Sequence, residues 1–236
     1  MKKFAPPIII FDVDGVLVDV RGSFHRTLIE TLHHFTRKRV TSAEIHAWKN
    51  RGGFNDDWKL SHTWIQSLGF DNSYDEIKRK FQEIYWGNGN SGNVRRERWL
   101  LPKPTLKRLG KNSELAIFTG RIRHELDYTL DRNNLRPYFK RIVTVENVKN
   151  PKPDPEGLLQ ILNGRDPNNA IYLGDNIDDA VAAKAAKVPF LGVLPYRSEA
   201  RRHRATSLTK LGAKTILGSV LQLEKWMAKH QWGRVL

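Results

Sequence analysis

Residues 8–11 read Ile-Ile-Ile-Phe, and the chain continues Asp-Val-Asp-Gly. No polar residue alternates within the run, so a strand formed here carries apolar side chains on both faces and needs cover on both. Sheets covered on both faces are parallel sheets built with crossover helices. A buried strand that ends on two carboxylates also needs something nearby to stabilise their charge. The same stretch therefore constrains the architecture and raises a question of chemistry.

Apolar runs of the same kind recur at 115–118, 142–145, 170–173 and 190–194, with amphipathic helical patterns between them. This alternation predicts an α/β fold with a parallel sheet and helices on both faces. Ligands in such sheets sit beyond the carboxyl ends of the strands. Asp-Val-Asp-Gly at 12–15, Thr-Gly-Arg at 119–121 and Gly-Asp-Asn-Ile-Asp-Asp at 174–179 are therefore expected at one edge.

The stretch between the first two strands is too long for a simple crossover. Thr41 with Glu44 and Ser73 with Glu76 read as capping boxes, the first with a Val40–Ile45 staple. Phe24, Leu28, Leu32 and Phe35 form one helical stripe; Leu60, Trp64 and Leu68 form another, closed by Gly69; Ile77, Phe81, Ile84 and Tyr85 form a third. Four inserted helices make a separate module, with hinges expected at 19–22 and in the Gly/Asn run at 87–93. The expected division is a core of residues 1–20 and 97–236 and a helical cap of residues 21–96.

Composition removes several classes of function. There is no cysteine, so disulfides, thiolate metal sites and cysteine nucleophiles are excluded. Lys2 and Lys3 precede an apolar run, but Asp12 interrupts it too early for a signal peptide or a spanning helix. The expectation is a cytoplasmic protein that makes no use of a membrane. The net charge of +15 favours anionic partners. Basic residues gather at 95–111, and again at Arg197, Arg201, Arg202, Arg204, Lys210 and Lys214. No helix-turn-helix or aromatic-interleaved RNA motif accompanies them. A solvated surface that steers small anions is preferred to a nucleic-acid footprint, and the oligomeric state is open.

Side chains two apart on a strand point the same way, so Asp12 and Asp14 face one cleft, and Gly15 lets the chain turn away. Two close carboxylates repel and call for a cation. With Asp175 and Asp179 arriving at the same edge, an all-oxygen site suited to Mg2+ results. A phosphate ligand accounts for the rest: Thr119 and the Gly120 amide can donate to its oxygens, and Lys152 can neutralise it and Asp12. One aspartate then serves as nucleophile and the other handles protons.

Four segments carry a family resemblance. Asp-Val-Asp-Gly-Val from residue 12, Phe-Thr-Gly-Arg from 118, Lys-Pro-Asp-Pro-Glu-Gly from 152 and Gly-Asp-Asn-Ile-Asp-Asp from 174 resemble, in this order, the four motifs of the haloacid dehalogenase superfamily. The chain is most similar to its phosphatases with a small helical cap after the first motif, the phosphoglycolate phosphatase-like subfamily. The resemblance implies a Rossmann-like, doubly wound core, Asp12 as the residue that forms an aspartyl-phosphate, and Asp14 as general acid/base. It implies that Thr119 and Lys152 hold the phosphoryl group. Mg2+ would be held by Asp12, the Asp14 carbonyl and Asp175, with Asp179 supporting through water or Lys152. Gly120 and Arg121 are read as substrate-binding, as are Arg51, Gly52, Gly53 and Asn55 in a specificity loop of the cap. The superfamily's dehalogenases lack a second aspartate two residues on, because a halide leaves without a proton, so Asp14 favours phosphate chemistry. The expected activity is a Mg2+-dependent hydrolysis of a small phosphorylated metabolite. A sugar-phosphate mutase of the β-phosphoglucomutase type and a polyanion-binding protein are the alternatives.

Other readings are structural. An EF-hand loop beginning at Asp12 fails at Val16 and Ser23, where ligands are required. Asp19 is read as a turn or hinge residue, Asp178 as either a helix cap or a support for the metal. The eight histidines are read as surface or packing residues. Trp48, Trp58 and Trp64 are read as cap core.

Overall fold

Parallel pairing on both sides of the first strand organises the fold. The computed structural model describes residues 5–194 and 199–232, so Lys2, Lys3 and Arg197 lie outside the described residues. Two compact units separate, one comprising Met1–Val18 with Trp99–Leu236 and the other Asp19–Arg98. The chain runs β1 (Ile8–Phe11), β2 (Val18–Asp19), then α1 (Phe24–Thr36), α2 (Ser42–Lys49), α3 (Asp57–Ser67) and α4 (Tyr74–Trp86). It continues through β3 (Arg98–Trp99), α5 (Lys103–Asn112), β4 (Glu114–Phe118), α6 (Arg123–Arg132), β5 (Arg141–Val143) and α7 (Glu156–Leu162). It closes with β6 (Ala170–Gly174), α8 (Ile177–Ala185), β7 (Phe190–Val193), α9 (Glu199–Lys210), β8 (Thr215–Leu217) and α10 (Leu223–Lys229).

Among the described residues the main sheet has six parallel strands in the order β5-β4-β1-β6-β7-β8. β1 is central, with Ile8 opposite Glu114 and Ala170, and Phe11 opposite Ile117 and Leu173. The connections run outward from β1 to one side and then cross back to the other. This places a topological switch at β1, where doubly wound sheets take their ligands. Ile8, Ile9, Ile10 and Phe11 are all at most 1% exposed, as the unbroken apolar run requires. Ile8, Ile10, Ala116, Phe118 and Tyr172 share a core with Leu158 and Ile161 of α7 and Ala180 and Ala183 of α8. Each isoleucine or leucine among them contributes about 1.5–3 kcal/mol when fully buried.

Several strand bounds differ from the sequence expectation by one or two residues, and the short strands β2, β3 and β8 were not expected. β5 ends at Val143, because the Thr144 and Asn147 side chains cap a 3-10 turn over Val145–Asn147 and withdraw that segment from the ladder. β7 stops at Val193, one residue short of the expected end, and β6 extends to Gly174. β8 was not expected: its three residues follow Lys214 and are half-buried except Leu217, too short for a periodic signal.

The second unit holds α1 to α4. Both expected capping boxes are present, Thr41 with Glu44 and Ser73 with Glu76. Phe24 stacks on Phe81 and Tyr85 at 6.1 and 4.5 Å, and Leu28, Leu32, Leu60, Ile65 and Ile77 are fully buried around them. Of the three tryptophans assigned to this core, Trp64 is buried, whereas Trp48 and Trp58 are half-buried. Arg51 lies 4.1 Å from the Trp48 ring centre and Lys78 4.2 Å from that of Trp58, so each indole packs partly under a cation. Asp19 is buried and bonded by two exposed arginines, Arg21 and Arg98, each at 2.7 Å. Among the described residues no helix is long and apolar enough to cross a membrane.

Candidate active site

Asp12, Thr119 and Asp175 are the first residues beyond β1, β4 and β6. Asp12 still donates its N–H to Leu173 O at 2.8 Å, and Thr119 donates its own to Val143 O at 3.0 Å. The backbone under both side chains is therefore held by the sheet itself. After Asp12 the chain makes a tight turn, in which the N–H groups of Leu17 and Val18 both donate to Val13 O, at 2.9 and 2.8 Å. Gly15 has φ +77°, and a Cβ there would lie 2.4 Å from an Asp175 carboxylate oxygen. Only glycine lets the first loop pass this close to the fourth.

Lys152 is the centre of charge. Its ammonium lies 2.8 Å from Asp12 Oδ1 and 2.8 Å from Asp179 Oδ1, and its side chain is 1% exposed. It sits 4.6 and 5.4 Å from the ring centres of Phe118 and Tyr172. Burial opposes its charge, but Asp12 and Asp179 outweigh that and hold its pKa above the ordinary lysine value. Asp12 is pushed well above the usual carboxylate range, first by burial and then by Asp179, Asp14 and Asp175, with Lys152 opposing. The two directions agree: the ammonium stays charged, and a surplus of carboxylates around it favours uptake of a proton or a metal ion.

Asp179 is saturated with donors. Its Oδ1 accepts from the Tyr172 hydroxyl at 2.7 Å, and its Oδ2 accepts from the backbone N–H groups of Asp175 and Asn176 at 3.2 and 3.1 Å. The second of these bonds completes a capping box with Asn176 at the start of α8. Asn176, rather than Asp178, is thus the helix cap; Asp178 lies buried inside the first turn. Gly174 is needed beneath this arrangement, since a Cβ there would stand 2.5 Å from the Asp179 side chain.

Asp12, Asp175 and Asp179 each offer one carboxylate oxygen, and the three atoms lie within 4.8 Å of one another. An all-carboxylate set of this size, two of its members buried and Asp175 half-buried, fits a hard divalent cation such as Mg2+. Asp14 stands apart from this group: Arg121 donates to its Oδ1 from Nε at 2.9 Å and from Nη2 at 2.6 Å. Arg121, read from the sequence as substrate-binding, is 2% exposed, and its third donor, Nη1, reaches Thr129 Oγ1 at 2.9 Å. The Arg121 N–H donates to Thr119 Oγ1 at 3.1 Å. Gly120 is exposed between them. Arg51, Gly52, Gly53 and Asn55 all lie in the link between α2 and α3 of the helical unit, with Gly52 and Gly53 at positive φ.

Two residues of the site escaped the sequence reading. Tyr172 sits mid-strand in β6; a tyrosine in a fully buried strand needs a partner for its hydroxyl, and that need was the available signal. Burial pushes its hydroxyl well above the usual tyrosine pKa, with Asp179 adding to the shift. Arg204, expected on the solvated basic surface, is instead buried at 5% exposure, with Nη1 3.6 Å from Asp175 Oδ2. Arg201 of the same cluster donates from Nε to the Leu194 carbonyl at 2.5 Å. Arg204 falls four residues before buried Leu208, on the same inward face of α9, and that spacing was the signal.

Comparison with known proteins follows the same lines. The family described as haloacid dehalogenase-like hydrolase matches residues 9–193. An imidazoleglycerol-phosphate dehydratase from Phytophthora nicotianae is 29% identical over 202 residues, which are 82% of this chain and 44% of that protein. The chain thus spans less than half the length of that relative. Pyrophosphatase PpaX from Bacillus velezensis is 27% identical over 195 residues, 78% of this chain and 82% of the relative. The solved structure of a predicted phosphoglycolate phosphatase from Haemophilus somnus shares the fold, with a TM-score of 0.76 and 18% identity over 95% of this chain and 99% of the other.

Proposed function

The chain belongs to the haloacid dehalogenase-like hydrolases, and from that premise we propose that it is a Mg2+-dependent phosphatase acting on a small phosphorylated metabolite through an aspartyl-phosphate. The observation that carries the reading is Asp12 at the carboxyl end of the central strand, bonded to a buried lysine and grouped with Asp175 and Asp179. Phosphatase-type relatives support the class of reaction.

With Asp12 Oδ1 bonded to Lys152, its other oxygen attacks phosphorus. The bond from phosphorus to the ester oxygen breaks, and that oxygen takes a proton from Asp14. Water then attacks the phosphorus of the aspartyl-phosphate, Asp14 takes a proton from the water, and the bond to Asp12 breaks to release phosphate. Thr119 and the Gly120 amide donate to the phosphoryl oxygens, and Lys152 offsets the repulsion between carboxylate and phosphate. Asp12, Asp175 and the Asp14 carbonyl would hold Mg2+; Asp179, whose oxygens already accept four contacts, would orient the set rather than bind directly. When bound, the ion lowers the charge barrier to anionic attack.

Substrate choice is assigned to Arg51, Gly52, Gly53 and Asn55 of the helical unit, which serves as the cap. The setting is a cytoplasmic one, and the positive surface steers anions. No separate observation favours the mutase or the polyanion-binding alternative.

The test is phosphate release from p-nitrophenyl phosphate, acetyl phosphate and a panel of phosphorylated metabolites, with and without EDTA. Metal-dependent release that disappears in Asp12→Asn is the expected result. No release from any member, or release that EDTA leaves untouched, overturns the reading.

A further inference from the structure

We propose that Arg121 is a positioning residue for Asp14, an inference that rests on the phosphatase reading and assigns a further part of its proton-transfer machinery. Arg121 is among the largest fully buried side chains, and a guanidinium is costly to bury unless each of its edges is matched. Here the matching is uneven. Nε and Nη2 converge on a single oxygen, Asp14 Oδ1, at 2.9 and 2.6 Å. Nη1 is tied at 2.9 Å to Thr129 Oγ1, which in turn donates to the Glu125 carbonyl of α6 at 3.2 Å. The fork is thereby anchored to a helix on one side and grips one carboxylate oxygen on the other.

Asp14 needs such a grip. Its side chain is 34% exposed, so packing alone does not hold it in one rotamer. Proton transfer requires an oxygen within hydrogen-bond reach of the departing group, and a misplacement of about 1 Å can cost roughly 100-fold in rate. With Oδ1 held by Arg121, Oδ2 is the oxygen presented for proton transfer. A lysine could supply the charge but not two donors in one plane. Arg121 also ties this carboxylate to the phosphate-binding loop, because its own N–H donates to Thr119 Oγ1 at 3.1 Å. The arginine so placed touches no substrate. It sets where Asp14 stands when the leaving oxygen needs a proton.

The experiment compares Arg121→Met and Arg121→Lys with Asp14→Asn and the Asp14→Asn/Arg121→Met double variant, using acetyl phosphate and an alkyl phosphate. Arg121→Met should lower kcat on the alkyl phosphate by roughly 10- to 100-fold, with KM changed less than about threefold. It should accumulate phosphoenzyme from acetyl phosphate, whose leaving group needs little protonation. Arg121→Lys, which keeps the buried charge and guards against a folding defect, should lose less. The double variant should be no slower than Asp14→Asn alone, since both changes disable one step. A rise in KM at unchanged kcat would make Arg121 a substrate contact and overturn the proposal. Multiplicative losses in the double variant would overturn it as well. If the unsubstituted protein forms no phosphoenzyme and Asp12→Asn retains turnover, the aspartyl-phosphate reading is what fails.

Discussion

Replacing Lys152 by methionine removes the cation and keeps most of the side chain's bulk. In the native site the ammonium stands 2.8 Å from Asp12 and 2.8 Å from Asp179, and all three groups are buried. Without it, two buried carboxylates lose their shared counter-charge. Breaking a buried pair by deleting one partner costs about 3–5 kcal/mol. At roughly 2–4 °C per kcal/mol for a chain of this size, the melting temperature should fall by about 6–20 °C in EDTA. The sign of the pH dependence follows from the pKa directions. Lys152 is raised, so its stabilisation is present at any pH below its ordinary value of 10.5 and is lost only above it. Asp12 is raised even with the lysine present, and losing the lysine raises it further. Protonation then relieves the site, so the deficit of Lys152→Met should shrink between pH 7.5 and pH 5. Adding Asp12→Asn to Lys152→Met removes one uncompensated charge and should recover part of the loss. Calorimetry in EDTA at the two pH values measures each quantity. A deficit under about 2 °C at pH 7.5, or one equal at both pH values, would refute the account of Lys152 as the counter-charge of this cluster.

Gly15→Ala should lower kcat/KM by more than about 100-fold, because the added Cβ meets the Asp175 carboxylate 2.4 Å away in a left-handed backbone; steady-state kinetics on p-nitrophenyl phosphate decides it. Tyr172→Phe deletes the 2.7 Å donor to Asp179 Oδ1 and should cost about 1.5–3 kcal/mol in thermal or urea unfolding. Asp19 is held well below the usual carboxylate range by Arg21 and Arg98, so its contribution is present above about pH 4 and is lost as the pH falls toward its lowered folded value. Asp19→Asn should therefore destabilise by about 1–2 kcal/mol at pH 7, discounted for the exposure of both arginines, with a gap that closes on acidification in parallel melts. Arg51→Ala should reorder the ranking of metabolites while sparing acetyl phosphate; an equal loss on every substrate would place Arg51 in the fold instead.

What could be read in advance depended on whether a residue's role was local or distant. The strand at Ile8–Phe11 and the capping boxes at Thr41 and Ser73 are local patterns, and each appears as read. The grouping of Asp12 with Asp175 and Asp179 was legible because a parallel sheet aligns the carboxyl ends of its strands. The burial of Arg204 and the contact of Arg121 with Asp14 were not. Both depend on which direction a long side chain takes: Arg204 turns inward to Asp175 from a helix whose sequence is polar nearly throughout, and Arg121 turns back to Asp14. Sequence spacing says little about such reaches. β8 and the early end of β5 were illegible for another reason: a three-residue strand has no period, and one side-chain cap can withdraw a residue from a ladder.

The capping box at α8 has a consequence for how this protein can change over generations. Asp179 ends the backbone of a helix with one oxygen and receives Lys152 and Tyr172 with the other. A substitution there cannot be judged by selection on helix stability alone or on site charge alone, because each allele alters both. Glutamate, a frequent partner in such boxes elsewhere, would carry its carboxylate one methylene further from the backbone and so shift it from Lys152 and Tyr172. Position 179 thus answers to two constraints at once, the start of α8 and the charge balance of the site.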